Sequence, residues 1–231
     1  MFPIRDTQPS YSRPVITVLI IIVNVVVFLH EISLDDYSRN FFIGHYGLIP
    51  VRAWPFRGNF IPNAFPYLSS MFLHGGWMHI IGNMWFLWIF GDNVEDVMGH
   101  AKYLVFYMLC GLAAAMTQVL FNVDSRLPMV GASGAIAGVM GAYLIKFPHS
   151  RIVTLVFILF FVTTIEVPAV LMLLYWFFIQ LFSGVGTIGY SHVSQGGTAF
   201  FAHIGGFIAG MVLVAVMGTR QKYARRQDLN W

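Results

Sequence analysis

The chain has 231 residues, 58% hydrophobic and only 10% charged, with a formal net charge of +3. Soluble domains carry about 25% charged residues, so this composition excludes an ordinary water-soluble globule and makes lipid part of the solvent. A single cysteine, Cys110, excludes an intramolecular disulfide and a thiolate-metal cluster.

A membrane helix needs roughly 20 apolar residues. Windows free of Asp, Glu, Lys and Arg predict six helices, at 15–31, 77–91, 102–121, 131–147, 167–182 and 198–218. The first is followed by His30-Glu31-Ile32-Ser33 rather than by a small-residue cleavage pattern, so it reads as a retained helix and not a signal peptide. The long loop 30–70 carries Phe41, Phe42, Trp54, Phe56, Phe60, Phe65 and Tyr67, and such a loop is expected in the membrane interface. The window 152–165 is short, β-branched and aromatic, and reads as an interfacial segment leading into the fifth helix. The last window, 167–219, divides at the Gly- and Ser-rich stretch 183–197. The expected fold class is therefore all-α: a polytopic six-helix membrane domain at 15–218, between a short tail at 1–14 and a basic tail at 219–231.

Basic residues orient the bundle. With both termini inside, the inner segments hold nine of them (Arg5, Arg13, Lys102, Lys146, Arg151, Arg220, Lys222, Arg225 and Arg226) against four outside (Arg39, Arg52, Arg57 and Arg126). A seventh span at 152–165 would reverse the basic tail.

Polar side chains inside spans are costly and mark function by default. Helix 2 carries His79 and Asn83, helix 4 opens with Gly131-Ala132-Ser133-Gly134, and helix 6 carries Ala202-His203-Ile204-Gly205-Gly206. All three helices run from outside to inside, and the 1.5 Å rise per residue puts the four polar groups within roughly the outer 12 Å of the membrane. Singly, each has a plain structural reading: Ser133 bonded to a carbonyl, His79 and Asn83 as helix-helix glue at i, i+4. Together, at one depth, they point to a site. Gly134, Gly138 and Ala142 on helix 4, and Ala202, Gly206 and Gly210 on helix 6, form small-residue stripes that let backbones approach closely. A close pair would bring Ser133 within reach of His203, the base its hydroxyl needs. No Asp or Glu is read in the outer half of any span, so the expectation is a dyad. The Ser133 N–H at a helix start, His79 and Asn83 are the candidate oxyanion donors. Ser69, Ser70, His74, Ser191, Gln195 and Thr198 could line a wet opening, and Gly184, Gly186, Gly189, Gly196 and Gly197 would let loop 183–197 move as a lid. A metal site from His74, His79, His192 and His203 has no carboxylate or cysteine beside it, so no metal or other cofactor is expected, and no nucleic-acid partner.

At this point the chain resembles the rhomboid family of intramembrane proteases. The resemblance rests on His74-Gly75-Gly76-Trp77-Met78-His79-Ile80-Ile81-Gly82-Asn83, Gly131-Ala132-Ser133-Gly134 and Ala202-His203-Ile204-Gly205-Gly206, in family order, across roughly residues 12–220. Gly91-Asp92-Asn93-Val94-Glu95-Asp96 looks like the family's structural turn after helix 2. The resemblance implies a Ser133–His203 dyad, oxyanion donors from Ser133, His79 and Asn83, and cleavage of transmembrane substrates near the outer face, at small residues in helix-weak stretches. It also implies gating by helix 5 and loop 183–197. Two positions depart from the family pattern. Phe65-Pro66 stands where many relatives have Trp-Arg, and Ala137 where many have a Tyr that stacks on the histidine, which leaves open what orients His203. An inactive, client-binding relative and a transporter running protons or metal past His79, Asn83 and His203 are the rival readings. A bacterial cell membrane, with both termini cytoplasmic, is the expected location.

Overall fold

The computed structural model describes residues 2–53, 64–158, 161–187 and 199–219. Strand β1 (Phe2–Asp6) precedes helix α1 (Val15–Ser33). Three short helices follow, α2 (Asp36–Tyr46), α3 (Pro50–Ala53) and α4 (Pro66–Ser69), the last running into a 3₁₀ turn at Ser70–Phe72. Then come α5 (Trp77–Met98), α6 (His100–Phe121) and α7 (Ser133–Lys146). Strands β2 (Arg151–Ile158) and β3 (Phe161–Pro168) lead directly into α8 (Ala169–Thr187), and α9 (Phe200–Val216) is the last helix described.

Helix α7 is the axis. Every residue from Gly134 to Tyr143 is buried, as expected of a helix apolar on all sides and packed on all sides. Helices α5, α6, α8 and α9 surround it. The outer faces stay apolar: Val26 on α1, Phe182 on α8 and Val216 on α9 are 60%, 74% and 77% exposed. Water does not tolerate so much exposed apolar surface; lipid does. By length and composition α1, α6 and residues 169–186 of α8 can each cross a membrane, whereas α7 and α9 are shorter apolar helices.

Three expectations are corrected. First, the fold is mostly helical rather than all-α: β1, β2 and β3 form an antiparallel sheet in that order. The window 152–165 is β-branched because it supplies strands, and residues 2–6, in the segment expected as a tail, pair with it. Trp85 Nε1 donates to the Pro3 carbonyl at 2.6 Å and holds β1 against α5. Second, Gly91–Asp96 is not a turn; α5 continues through it to Met98. Its acids are held by the start of the chain. The Glu95 carboxylate accepts the Ile16 N–H, the Thr17 N–H and the Thr17 hydroxyl, each at 2.8 Å. Asp96 accepts from the Tyr11 N–H and the Ser12 hydroxyl. Glu95 caps α1, whose first turn has unpaired N–H groups and the positive end of the helix dipole, and Asp96 fixes the segment leading into it. The turn itself falls at Gly99, whose φ of 79° favours glycine. Third, α8 runs to Thr187, so 183–187 is helix and not lid loop.

Candidate active site

Ser133 is the first residue of α7. The chain enters that helix through Gly131, whose φ is +124°. Glycine is required there twice over. A side chain would be strained at that φ, and a Cβ would lie 2.6 Å from His79 Nε2 and 3.6 Å from Asn83 Nδ2. The Gly131 N–H donates to the Ser70 carbonyl at 2.9 Å, which pins this entrance to the 3₁₀ turn. The bare face of Gly131 is thus where the polar groups of α5 meet the start of α7.

The small-residue stripes do bring α7 and α9 together. A Cβ at Gly206 would lie 1.9 Å from the Gly134 carbonyl oxygen, and one at Gly210 the same distance from that of Gly138. The two backbones are in direct contact. Helix α6 packs into the same seam, with Ala114 against both Gly134 and Gly206 and the Cys110 side chain against Gly138. It also holds the start of α9, where the Ala202 N–H donates to Gln118 Oε1 at 3.1 Å. The consequence at the start of α7 is direct: His203 Nε2 and Ser133 Oγ are 2.8 Å apart.

The other ring nitrogen, Nδ1, lies 2.7 Å from Oε1 of Gln180 on α8. Trp176, one turn earlier on α8, places its ring 5.5 Å from the imidazole, tilted by 38°. Neither residue was singled out by sequence reasoning. The signal existed for Gln180, the one amide in the apolar run 169–182, and it meets the same criterion of a costly polar group inside a span.

On α5, Asn83 Nδ2 donates to His74 Nε2 at 3.0 Å, which uses one of the two amide protons. His79 Nδ1 lies 3.5 Å from the Gly75 N–H, which leaves Nε2 facing Gly131 as a donor. An acid overlooked in sequence stands behind them. Glu31, buried in the last turn of α1, accepts the His74 N–H at 3.2 Å and serves His74 rather than His203. Of the expected wet lining, Ser69 donates to the Tyr46 carbonyl, while Ser70 Oγ and His74 Nδ1 are buried with no partner among the described residues. Ser191, His192, Gln195 and Thr198 lie outside the described residues, as do Gly189, Gly196 and Gly197. Gly184 is buried in α8, with Phe200, Phe201 and Ile204 against its bare face, and Gly186 follows in the same helix. Among the described residues no group of His, Cys, Asp and Glu could hold a metal ion.

The fold and this site define a helical membrane protein with a serine hydroxyl on an imidazole, beside a cluster of N–H donors. A family profile for the Rhomboid domain matches residues 62–220, and the chain belongs to the rhomboid family. It is 30% identical over 103 residues to the mitochondrial Rhomboid protein 1 of Saccharomyces cerevisiae, covering 43% of this chain and 30% of that one. It is 30% identical over 156 residues to RHOMBOID-like protein 5 of Arabidopsis thaliana, covering 68% and 45%. The human mitochondrial presenilin-associated rhomboid-like protein is 30% identical over 89 residues, covering 38% and 24%. The chain therefore spans less than half the length of each of these relatives. Two of the three are named for mitochondria, a different compartment from the bacterial membrane expected.

Proposed function

We propose that this chain is an intramembrane serine endopeptidase that cleaves transmembrane segments of protein substrates near the outer face. The observation that carries the reading is the 2.8 Å approach of Ser133 Oγ to His203 Nε2, with Nδ1 engaged on the opposite side of the ring. A serine hydroxyl becomes a useful nucleophile when a base takes its proton. In this reading Ser133 Oγ attacks the scissile carbonyl carbon while His203 Nε2 accepts the proton. The tetrahedral oxyanion forms beside Gly131, where the Ser133 N–H, which has no acceptor within its own helix, His79 Nε2 and the free Asn83 amide proton can reach it. His203 then protonates the leaving amine, and water activated by the same nitrogen hydrolyses the acyl-enzyme. Ser70 Oγ and His74 Nδ1 are polar atoms in need of partners and can hold such water near the donors.

The six helices α1, α5, α6, α7, α8 and α9 are the spans in this reading, with residues 15–218 as one membrane domain and both termini on the inner side. The start of α5, Ser133 and His203 then share the outer side. The sheet lies at the inner interface, where Phe157 and Phe161, 58% and 75% exposed, meet lipid. Helix α8 is the natural gate: of the three long apolar helices it buries the smallest share, 22% against 28% for α1 and 39% for α6.

The test is cleavage of a single-span substrate by the purified chain, with Ser133→Ala alongside. Wild type should cleave and should bind a fluorophosphonate at Ser133; His203→Ala should lose both with the fold intact. Asn83→Ala should retain some activity, since two donors remain. Cleavage by Ser133→Ala would end the reading. Client binding without cleavage, or ion flux indifferent to Ser133, would favour the two rivals.

A further inference from the structure

The dyad has a base with no acid behind it, and the position where relatives place a stacking Tyr holds Ala137. Resting on the protease reading, we propose that Gln180 is the positioning residue of the base: its Oε1 accepts the Nδ1 proton of His203 and so presents the Nε2 lone pair to Ser133. The bond is 2.7 Å long, and both side chains are buried, at 7% and 8% exposure.

Neutral imidazole carries one proton on two nitrogens, and its partners decide which. With an acceptor at Nδ1, that nitrogen keeps the proton and Nε2 is free to take one from Ser133. With no acceptor, the two tautomers compete, and the Nε2–H form cannot act as base. A side-chain amide can do this work only with its oxygen inward; its NH₂ turned toward Nδ1 would enforce the unproductive tautomer. Gln180 is carried to the ring by the face of α8 that meets α9. Trp176, Gln180 and Gly184 follow at one-turn intervals. The first packs on the imidazole, and the last, lacking a side chain, lets Phe200, Phe201 and Ile204 of α9 close in. The other groups on His203 are Ser133 of α7 and, electrostatically, His79 of α5.

Two variants of nearly equal length separate positioning from packing. Gln180→Met removes the acceptor; Gln180→Glu keeps an acceptor and adds charge. With a single-span substrate, Gln180→Met should lower kcat about tenfold, the worth of one neutral hydrogen bond, and leave KM within about twofold of wild type. Gln180→Glu should retain kcat at alkaline pH, with the pH–rate profile displaced upward because the carboxylate favours imidazolium. Wild-type kcat in Gln180→Met, or one shared pH profile for the two variants, overturns the proposal. Nitrogen-15 spectra of His203 in the purified chain read the tautomer without proteolysis. Wild type should be protonated at Nδ1 and Gln180→Met should be mixed. A wild-type ring protonated at Nε2 overturns the role of Gln180 even if Ser133 cleaves substrate, whereas cleavage by Ser133→Ala sinks the protease reading and leaves the spectrum to judge Gln180 alone.

Discussion

Adding one methyl group at Gly206 should separate nucleophile from base. The Cβ of an alanine there would lie 1.9 Å from the Gly134 carbonyl oxygen and 2.9 Å from its carbon. A carbon meets a carbonyl oxygen comfortably at about 3.3 Å, so the helices must part by about 1.4 Å at that level. Backbone stands on both sides, and no flexible side chain can yield instead. Gly206 is one turn beyond His203 and Gly134 adjoins Ser133, so most of the displacement falls on the 2.8 Å bond between them. Stretched by about 1 Å, that contact leaves the roughly 2.6–3.2 Å range in which a base can take the proton. A misplacement of this size costs on the order of 10²-fold in rate, and overpacking costs about 1–3 kcal/mol in stability. Gly210→Ala makes the same 1.9 Å clash, against Gly138, one turn further along. It should match Gly206→Ala in lost stability but lose less activity. The assays are kcat on a single-span substrate and the midpoint of unfolding in a denaturing detergent. Wild-type kcat and midpoint in Gly206→Ala would refute the view that backbone contact sets the dyad; equal kcat losses in both variants would show that activity follows stability alone.

Three further outcomes follow from the surrounding structure. Glu95→Ala leaves the Ile16 and Thr17 N–H groups without an acceptor at a buried helix start and should cost roughly 2–5 kcal/mol, read as a lower unfolding midpoint with Ser133 labelling intact at low temperature; an unchanged midpoint would remove Glu95 as the cap of α1. Burial raises the Asp6 carboxyl from 3.8 to about 7, although the Tyr143 hydroxyl donates to it at 2.5 Å. The folded state then holds a proton that the unfolded chain releases near 3.8, so this contribution is full below that pH, declines as pH rises and is gone above about 7. Wild type should be more stable at pH 5 than at pH 8 by roughly 2–3 kcal/mol, and Asp6→Asn should flatten that slope; the same slope in both would contradict it. Finally, the Cβ built at Gly184 is 3.3 Å from that of Phe200, close to the roughly 3.5–4.5 Å of a disulfide. Gly184→Cys with Phe200→Cys, oxidised, should still react with a fluorophosphonate yet lose cleavage of transmembrane substrates until reduced. Undiminished cleavage in the oxidised form would show that α8 need not part from α9.

The apolar windows mark α1, α6 and α8, the helices long and apolar enough to cross a membrane, because lipid solvent makes charge-free length the dominant signal. The pairing of Ser133 with His203 was legible for a similar reason: Gly134, Gly138, Gly206 and Gly210 can only serve close approach, and they flank the two polar residues. The rest depended on partners far along the chain. Residues 92–96 look like the end of a helix because they are charged, yet α5 continues, since the amides that neutralise Glu95 belong to Ile16 and Thr17. Strand β1 was hidden because its partner β2 lies about 150 positions later, and the local β2–β3 pairing was masked because its β-branched, aromatic run also suits a membrane interface. Glu31 was overlooked because its acceptor role is to a backbone N–H, that of His74.

Close approach also explains why the support of the base comes from a third helix. For Ser133 to reach His203, α7 and α9 must touch through backbone, and residues on that seam must be small. An aromatic ring on α7 is what Ala137, buried with 0% exposure, does not provide. Helix α9 cannot orient its own imidazole at this range. A carboxylate from α8 could, but burying a charge there costs far more in desolvation than burying a neutral amide. Glutamine combines a neutral acceptor with the reach to cross from α8. If α8 is also the gate, the base is fully oriented only while α8 is seated, so admission of a substrate and competence of the nucleophile are mechanically linked through the Gln180–His203 bond.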